Sequence, residues 1–198
     1  LDTGCVEPTL IERHITKRTK AIVVVHFIGL PCDMTEVNRI AKKYQIPVIE
    51  DAATALGANF LDKKAGNLGT IGCFSFYPTK QITTGEGGML VFEDKDLYDK
   101  AAAWHDHGHE NNPAVPRWED TRKKSGFNFR MNELQAAVGL AQISKFDKIF
   151  ETRSIYGLSI FKSNQSDKSS RKIDGAKGLK LSLYFTLRFK FFAFFLIL

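Results

Sequence analysis

The sequence predicts an α/β fold, a three-layer sandwich built on a mainly parallel sheet. Three features carry this: the β-branched run Ala21-Ile22-Val23-Val24-Val25, a helical repeat after it, and a second short apolar strand, Pro47-Val48-Ile49-Glu50. An unbroken β-branched run, without polar alternation, suits a strand covered on both faces of a parallel sheet. Gly29 and Pro31 then turn the chain. Asp33 is placed as an N-cap with Glu36 as its capping-box partner, and Met34, Val37, Ile40 and Ala41 recur at helical spacing. The helix therefore covers 33–44, and residues 21–50 form one βαβ unit with a right-handed crossover.

Beyond this unit, the apolar stretches 71–76 and 89–92 predict two more strands. They flank the loop Thr83-Thr84-Gly85-Glu86-Gly87-Gly88. Its glycines read as tight turns that clear backbone space near Lys80; with no Lys-Ser/Thr after them they form no Walker loop. Leu97, Ala101 and Trp104 predict a helix over 94–105, and the charged, proline-containing stretch 107–124 an exposed loop. Met131, Leu134, Ala137, Val138 and Ala141 mark a further helix running towards Phe146. The loop between these helices is long for a mere connection, which favours a functional or interface role.

A chain of 198 residues with 43% hydrophobic content can bury one sizeable core. Its net charge is +6, yet residues 1–150 carry 19 Lys and Arg against 19 Asp and Glu. The excess lies wholly in 151–198, so the body offers no basic footprint for nucleic acid. That tail, 151–198, is atypical: basic, with six of the 16 phenylalanines between 185 and 195, and it continues no periodic pattern from the body. It reads as disordered or out of frame. Its last eight apolar residues are too few for a bilayer crossing of about 20 residues, so no membrane partner is expected. Cys5, Cys32 and Cys73 are widely spaced, and no charged stretch followed by an apolar core opens the chain at Leu1. A cytoplasmic fragment with free thiols is the expectation. His105, His107 and His109 alternate around Gly108, and an end of helix rather than a metal strip accounts for them.

Asp51 follows the second strand directly, where open α/β sheets place ligands, so its carboxylate should point into a site. Singly, Asp51 could be a helix cap, Ser75 a turn residue, Lys80 a surface charge and Asn128 a loop hydrogen-bonder. Together they recur inside ordered motifs. Glu50-Asp51-Ala52-Ala53, Gly69-Thr70-Ile71-Gly72-Cys73-Phe74-Ser75-Phe76, Pro78-Thr79-Lys80 and the loop 83–88 are followed by Gly126-Phe127-Asn128-Phe129-Arg130-Met131. This series, over residues 1–150, resembles the DegT/DnrJ/EryC1/StrS family of pyridoxal-phosphate aminotransferases that act on nucleotide-linked keto sugars.

The resemblance implies part of the large domain of a fold type I transferase. It also implies that Lys80 holds pyridoxal phosphate as a Schiff base and that Asp51 faces the pyridine nitrogen. Ser75 would bind the phosphate, and Asn128 would reach it from a neighbouring subunit of a homodimer with shared sites. Thr54 stands where the family often has Gln, His or Glu against the ring, and its shorter hydroxyl is assigned to cofactor binding. An amino acid, glutamate by resemblance, would be the donor. A sister group that removes a sugar hydroxyl carries His at the lysine position, and Lys80 argues against it. Two other readings stay open: a catalytically inactive, cofactor-binding or regulatory relative, because the chain is about half the family's length, and a plain nucleotide-binding domain, which the missing G-x-G-x-x-G disfavours.

Overall fold

The computed structural model describes residues 3–122 and 124–155, together with the backbone of a strand at 192–196. A five-stranded sheet has the order β1 (Ile22–Val25), β2 (Val48–Asp51), β5 (Ile71–Ser75), β6 (Gly88–Phe92), β7 (Phe192–Leu196). β1, β2 and β5 pair in parallel, β6 is antiparallel to β5, and β7 is antiparallel to β6, so four of the five strands point the same way. Apart from this strand, the tail from 156 onward lies outside the described residues. A two-stranded ribbon, β3 (Asn59–Phe60) and β4 (Lys63–Lys64), and a short helix, α1 (Pro8–His14), complete what the apolar periodicity does not mark.

The first crossover forms as its sequence dictates. Helix α2 (Met34–Tyr44) starts at Asp33, whose Oδ1 accepts the N–H groups of Thr35 (3.1 Å) and Glu36 (3.3 Å). Glu36 does not close a capping box; its carboxylate pairs with Arg39 at 2.8 Å, one turn further on. The helix buries Met34, Val37, Ile40 and Ala41, and three of these pack on Ile22, Val24 and Val48 of the sheet. Each large side chain so buried contributes about 1.5–3 kcal/mol.

The opposite sheet face is covered unevenly. Helix α3 (Lys95–His105), capped by Asp94, lies over β6, where Leu97 and Tyr98 pack with Ile71, Leu90 and Phe92. No described element covers the β1 end of that face: Val23 is 61% and Val25 46% exposed. The β-branched run predicted a strand buried on both sides, and β1 is buried on the α2 side alone. Helix α4 (Glu133–Ile143) begins at Asn132 with a complete capping box to Gln135, and after a break at 144–145 the chain is helical again over 146–155. Phe146 there packs with Phe76 and Ile82.

Strand β5 stops one residue before the predicted end: the Phe76 N–H still follows the ladder to the carbonyl of Gly87 (2.7 Å), but the Phe76 carbonyl leaves it for the Thr84 N–H (3.0 Å). Between them β5 and the 64–67 turn pass so closely that a Cβ on Gly72 would lie 2.0 Å from the Gly66 carbonyl oxygen. Only glycine fits there.

Candidate active site

Register and pleat place the candidate residues. Asp51 is the last residue of β2, and its register partner on β5 is Cys73. Adjacent residues in register point to the same face, and every second residue along a strand does too. Asp51, Cys73 and Ser75 therefore share one face at the carboxyl ends of two neighbouring strands. This is the face that α3 leaves uncovered towards β1. Asp51 is half-buried, and its Oδ1 accepts the Ala53 N–H at 3.0 Å, an Asx turn that holds the carboxylate against its own backbone. The nearby charges of Asp51 and Glu50, together with burial, push the Cys73 thiol up to about 11, burial being the larger cause. Cys73 is thus a protonated neighbour of the Asp51 carboxylate.

Lys80 sits in the loop that leaves β5. The loop is closed at its base: Thr84 N–H donates to the Phe76 carbonyl (3.0 Å), and the Thr83 hydroxyl donates to the same oxygen (2.9 Å). Within it the Lys80 N–H bonds back to the Tyr77 carbonyl (3.0 Å), a turn with Pro78 at its second position. Gln81 ties this loop to the Asp51 turn, its Nε2 donating to the Thr54 carbonyl at 2.6 Å. The Thr54 hydroxyl donates to the His26 carbonyl at 3.1 Å. The structure accordingly brings Asp51, Thr54, Ser75 and Lys80 to one end of the sheet. Gly85 has φ +82 and serves a turn, whereas a Cβ on Gly87 would meet the Thr84 hydroxyl at 2.4 Å, so the clearance is towards Thr84 rather than Lys80.

Asn128 is not joined to this group. It is exposed and bridges to Asp106 beside the end of α3. The stretch 107–124, expected to be an exposed loop, is anchored from within. Asp106 is 4% exposed and accepts Arg117 Nη2 (2.7 Å to both oxygens) and Arg130 Nη1 (2.5 Å). Burial alone would raise the Asp106 carboxyl, but the two guanidiniums outweigh it and hold the group below the usual range. Buried His109 pairs with Asp120 at 3.2 Å.

Two residues escaped the sequence reading. His26 and Glu50 are fully buried, and His26 Nε2 meets Glu50 Oε2 at 2.8 Å. Glu50 also accepts the N–H groups of Gly66 (2.7 Å), Leu68 (2.6 Å) and Gly69 (2.5 Å). Burial opposes its ionisation, yet His26 and these amides keep its carboxyl below the ordinary range. Brändén's strand-end rule, applied to β1 as it was to β2, points at His26.

The sequence profile of the DegT/DnrJ/EryC1/StrS aminotransferase family matches residues 1–163. The chain belongs to this family. GDP-perosamine synthase of Escherichia coli O157:H7 is 41% identical over 169 residues, 82% of this chain and 44% of that protein. The UDP-4-amino-4,6-dideoxy-N-acetyl-beta-L-altrosamine transaminase of Helicobacter pylori is 35% identical over 164 residues, 81% and 43% of the two chains. Among solved structures, Helicobacter pylori PseC, an aminotransferase involved in the biosynthesis of pseudoaminic acid, superposes with a TM-score of 0.69 at 35% identity. It shares 74% of this chain and 39% of its own. The chain thus spans less than half the length of these relatives.

Pyridoxal phosphate is the cofactor of the DegT/DnrJ/EryC1/StrS aminotransferases, and the donor set here fits it. A carboxylate stands at a strand end, hydroxyls of Ser75 and Thr54 lie on the adjoining strand and turn, and a half-buried lysine lies in the loop that Gln81 ties to that turn. These are the groups that the cofactor's ring, phosphate and aldehyde call for.

Proposed function

We propose that this chain supplies the cofactor-binding core of an aminotransferase that moves an amino group from an amino acid, glutamate by family resemblance, to a nucleotide-linked keto sugar. The product would be an amino sugar for a surface polysaccharide, made in the cytoplasm. Bound pyridoxal phosphate supplies an electron sink that lets an amine be exchanged for a carbonyl. Asp51 holds a proton on the ring nitrogen by placing a negative charge against it. Ser75 donates to the phosphate, and Thr54 offers its hydroxyl near the ring. Lys80 would hold the cofactor through Nζ, its amine replacing the aldehyde oxygen with loss of water, and as a free amine it would carry the proton between carbon atoms. Asn128 serves the site of a second copy, which accounts for its exposure away from the other four residues and makes the working unit a homodimer. Among the described residues no helix is long and apolar enough to cross a membrane.

The observation that carries this reading is the shared face of Asp51 and Ser75, with the Lys80 loop tied to the Thr54 turn by Gln81. A second reading, cofactor binding without turnover, is favoured by the exposed Val23 and Val25, which leave one side of the site's face without cover. Incubation with pyridoxal phosphate, borohydride reduction and peptide mapping test the assignment: the label is expected on Lys80 and absent from Lys80→Ala. A label on another lysine sinks it. Turnover of glutamate with a nucleotide-linked keto sugar then separates the two readings.

A further inference from the structure

We infer that His26 is a positioning residue for the cofactor site: its main chain clamps the Asp51–Thr54 turn, and its buried ring, locked by Glu50 and Cys32, holds that main chain in place. The inference rests on the proposed roles of Asp51 and Thr54. Its physical basis is a set of bonds that converge on one residue. The His26 N–H donates to the Asp51 carbonyl (3.0 Å), and the His26 carbonyl receives the Thr54 hydroxyl (3.1 Å). The same carbonyl also receives the Gly29 N–H (3.2 Å), and a Cβ on Gly29 would stand 3.1 Å from the Thr54 carbonyl, so the 26–29 turn lies directly against Thr54. Both assigned residues on that turn are therefore spaced by a single backbone unit.

The ring explains why that unit cannot rotate. Cys32 N–H points at Nδ1 (3.2 Å), which must then be the acceptor, and the ring proton stands on Nε2 facing Glu50 (2.8 Å). Glu50 is itself immobile, because three backbone N–H groups fill its remaining acceptor sites. Ring, carboxylate and the 66–69 turn form one closed network with no exposed member at its centre. A buried network whose every member is satisfied fixes a unique arrangement, and a partner exchanged for an apolar ring leaves polar groups without bonds. Side chains at successive strand positions point to opposite faces, so Glu50 anchors from behind the sheet what Asp51 presents in front.

The test compares wild type, His26→Phe, His26→Gln and Thr54→Val by amide hydrogen exchange and by borohydride labelling at limiting pyridoxal phosphate. A Gln amide can restore the Nε2 donor to Glu50, whereas Phe restores nothing. In His26→Phe, exchange over 51–56 is expected to quicken about tenfold, with the α3 segment 95–105 unchanged, and labelling of Lys80 to fall by a similar factor. His26→Gln is expected to recover most of both. Thr54→Val keeps the side-chain shape and removes one half of the clamp. It covers the case in which His26→Phe does not fold, with exchange over 51–56 expected to rise about threefold. Unchanged exchange over 51–56 in either folded variant overturns the inference, as does a loosened turn with Lys80 labelling at the wild-type level. A wild-type chain that takes no label on Lys80 sinks the cofactor reading instead, and the exchange comparison still decides whether His26 holds the turn.

Discussion

Two regions of this molecule are each organised by one buried carboxylate, and they differ in what satisfies it. Glu50, behind the candidate site, accepts four N–H groups, three of them from the backbone of Gly66, Leu68 and Gly69 and one from buried His26. Asp106, at the root of the 107–124 loop, is held by two arginine side chains whose exposures are 55% and 40%. Backbone donors in a closed turn cannot leave, so the first arrangement is stiff. Long side chains at the surface can exchange a carboxylate for water, so the second is conditional. A site that must hold a carboxylate and a hydroxyl at fixed spacing uses the first kind. A segment that must meet another chain, as Asn128 is proposed to do, tolerates the second.

Removing each carboxylate is the most severe way to break the comparison. Glu50→Ala strands a buried histidine and three amides and is expected to cost about 3–5 kcal/mol, whereas Asp106→Ala leaves arginines that reach water and should cost about 1–3 kcal/mol. Urea unfolding of the two variants beside wild type measures this, and equal losses would erase the distinction. Acid provides a gentler probe. Both carboxyls are held below their unfolded values, so the stability each contributes is present above the ordinary carboxylate range and is lost as pH falls through the folded value. Glu50→Gln should therefore flatten the decline of Tm between about pH 7 and about pH 3 more than Asp106→Asn does. A steeper acid limb in Glu50→Gln would mean that the carboxylate is not the stabilising form.

What the sequence made legible follows from which interactions carry a side-chain signature. Helix α2 was readable because Asp33 and the 34, 37, 40, 41 spacing are themselves the cause of its start and its burial. Asp51 was readable because a strand end is a place, and the strand could be seen from its β-branched residues. Lys80, Ser75, Thr54 and Asn128 became site candidates through ordered motifs rather than through any pattern of their own. The Glu50 network was hidden for a specific reason: three of its four donors are main-chain N–H groups, which every residue but proline owns, so nothing in Gly66, Leu68 or Gly69 announces them. The anchoring of 107–124 was hidden for another. Asp106 meets Arg117 and Arg130 eleven and 24 positions away, and a stretch rich in charge and proline reads as solvated until those pairings are known. Even the exposed Val23 and Val25 follow this logic, because a β-branched run reports what a strand is suited to, not whether the covering element belongs to the same stretch of chain.

Salt gives the smallest effect and the sharpest contrast. At about 1 M ionic strength charges are screened over about 3 Å, against about 10 Å at 0.1 M. The Arg117 and Arg130 guanidiniums are open to that atmosphere, so their grip on Asp106 should weaken by a few tenths of a kcal/mol to about 1 kcal/mol. Glu50 and His26 have no exposed surface through which ions can act, and the three amides carry no net charge to screen. Hydrogen exchange over 106–130 is therefore expected to quicken as sodium chloride rises to about 1 M, while exchange over 66–69 stays constant. An equal response in the two segments would show that the Asp106 cluster is as closed as the Glu50 network. The loop would then be a rigid part of the domain rather than a segment free to settle on a second copy.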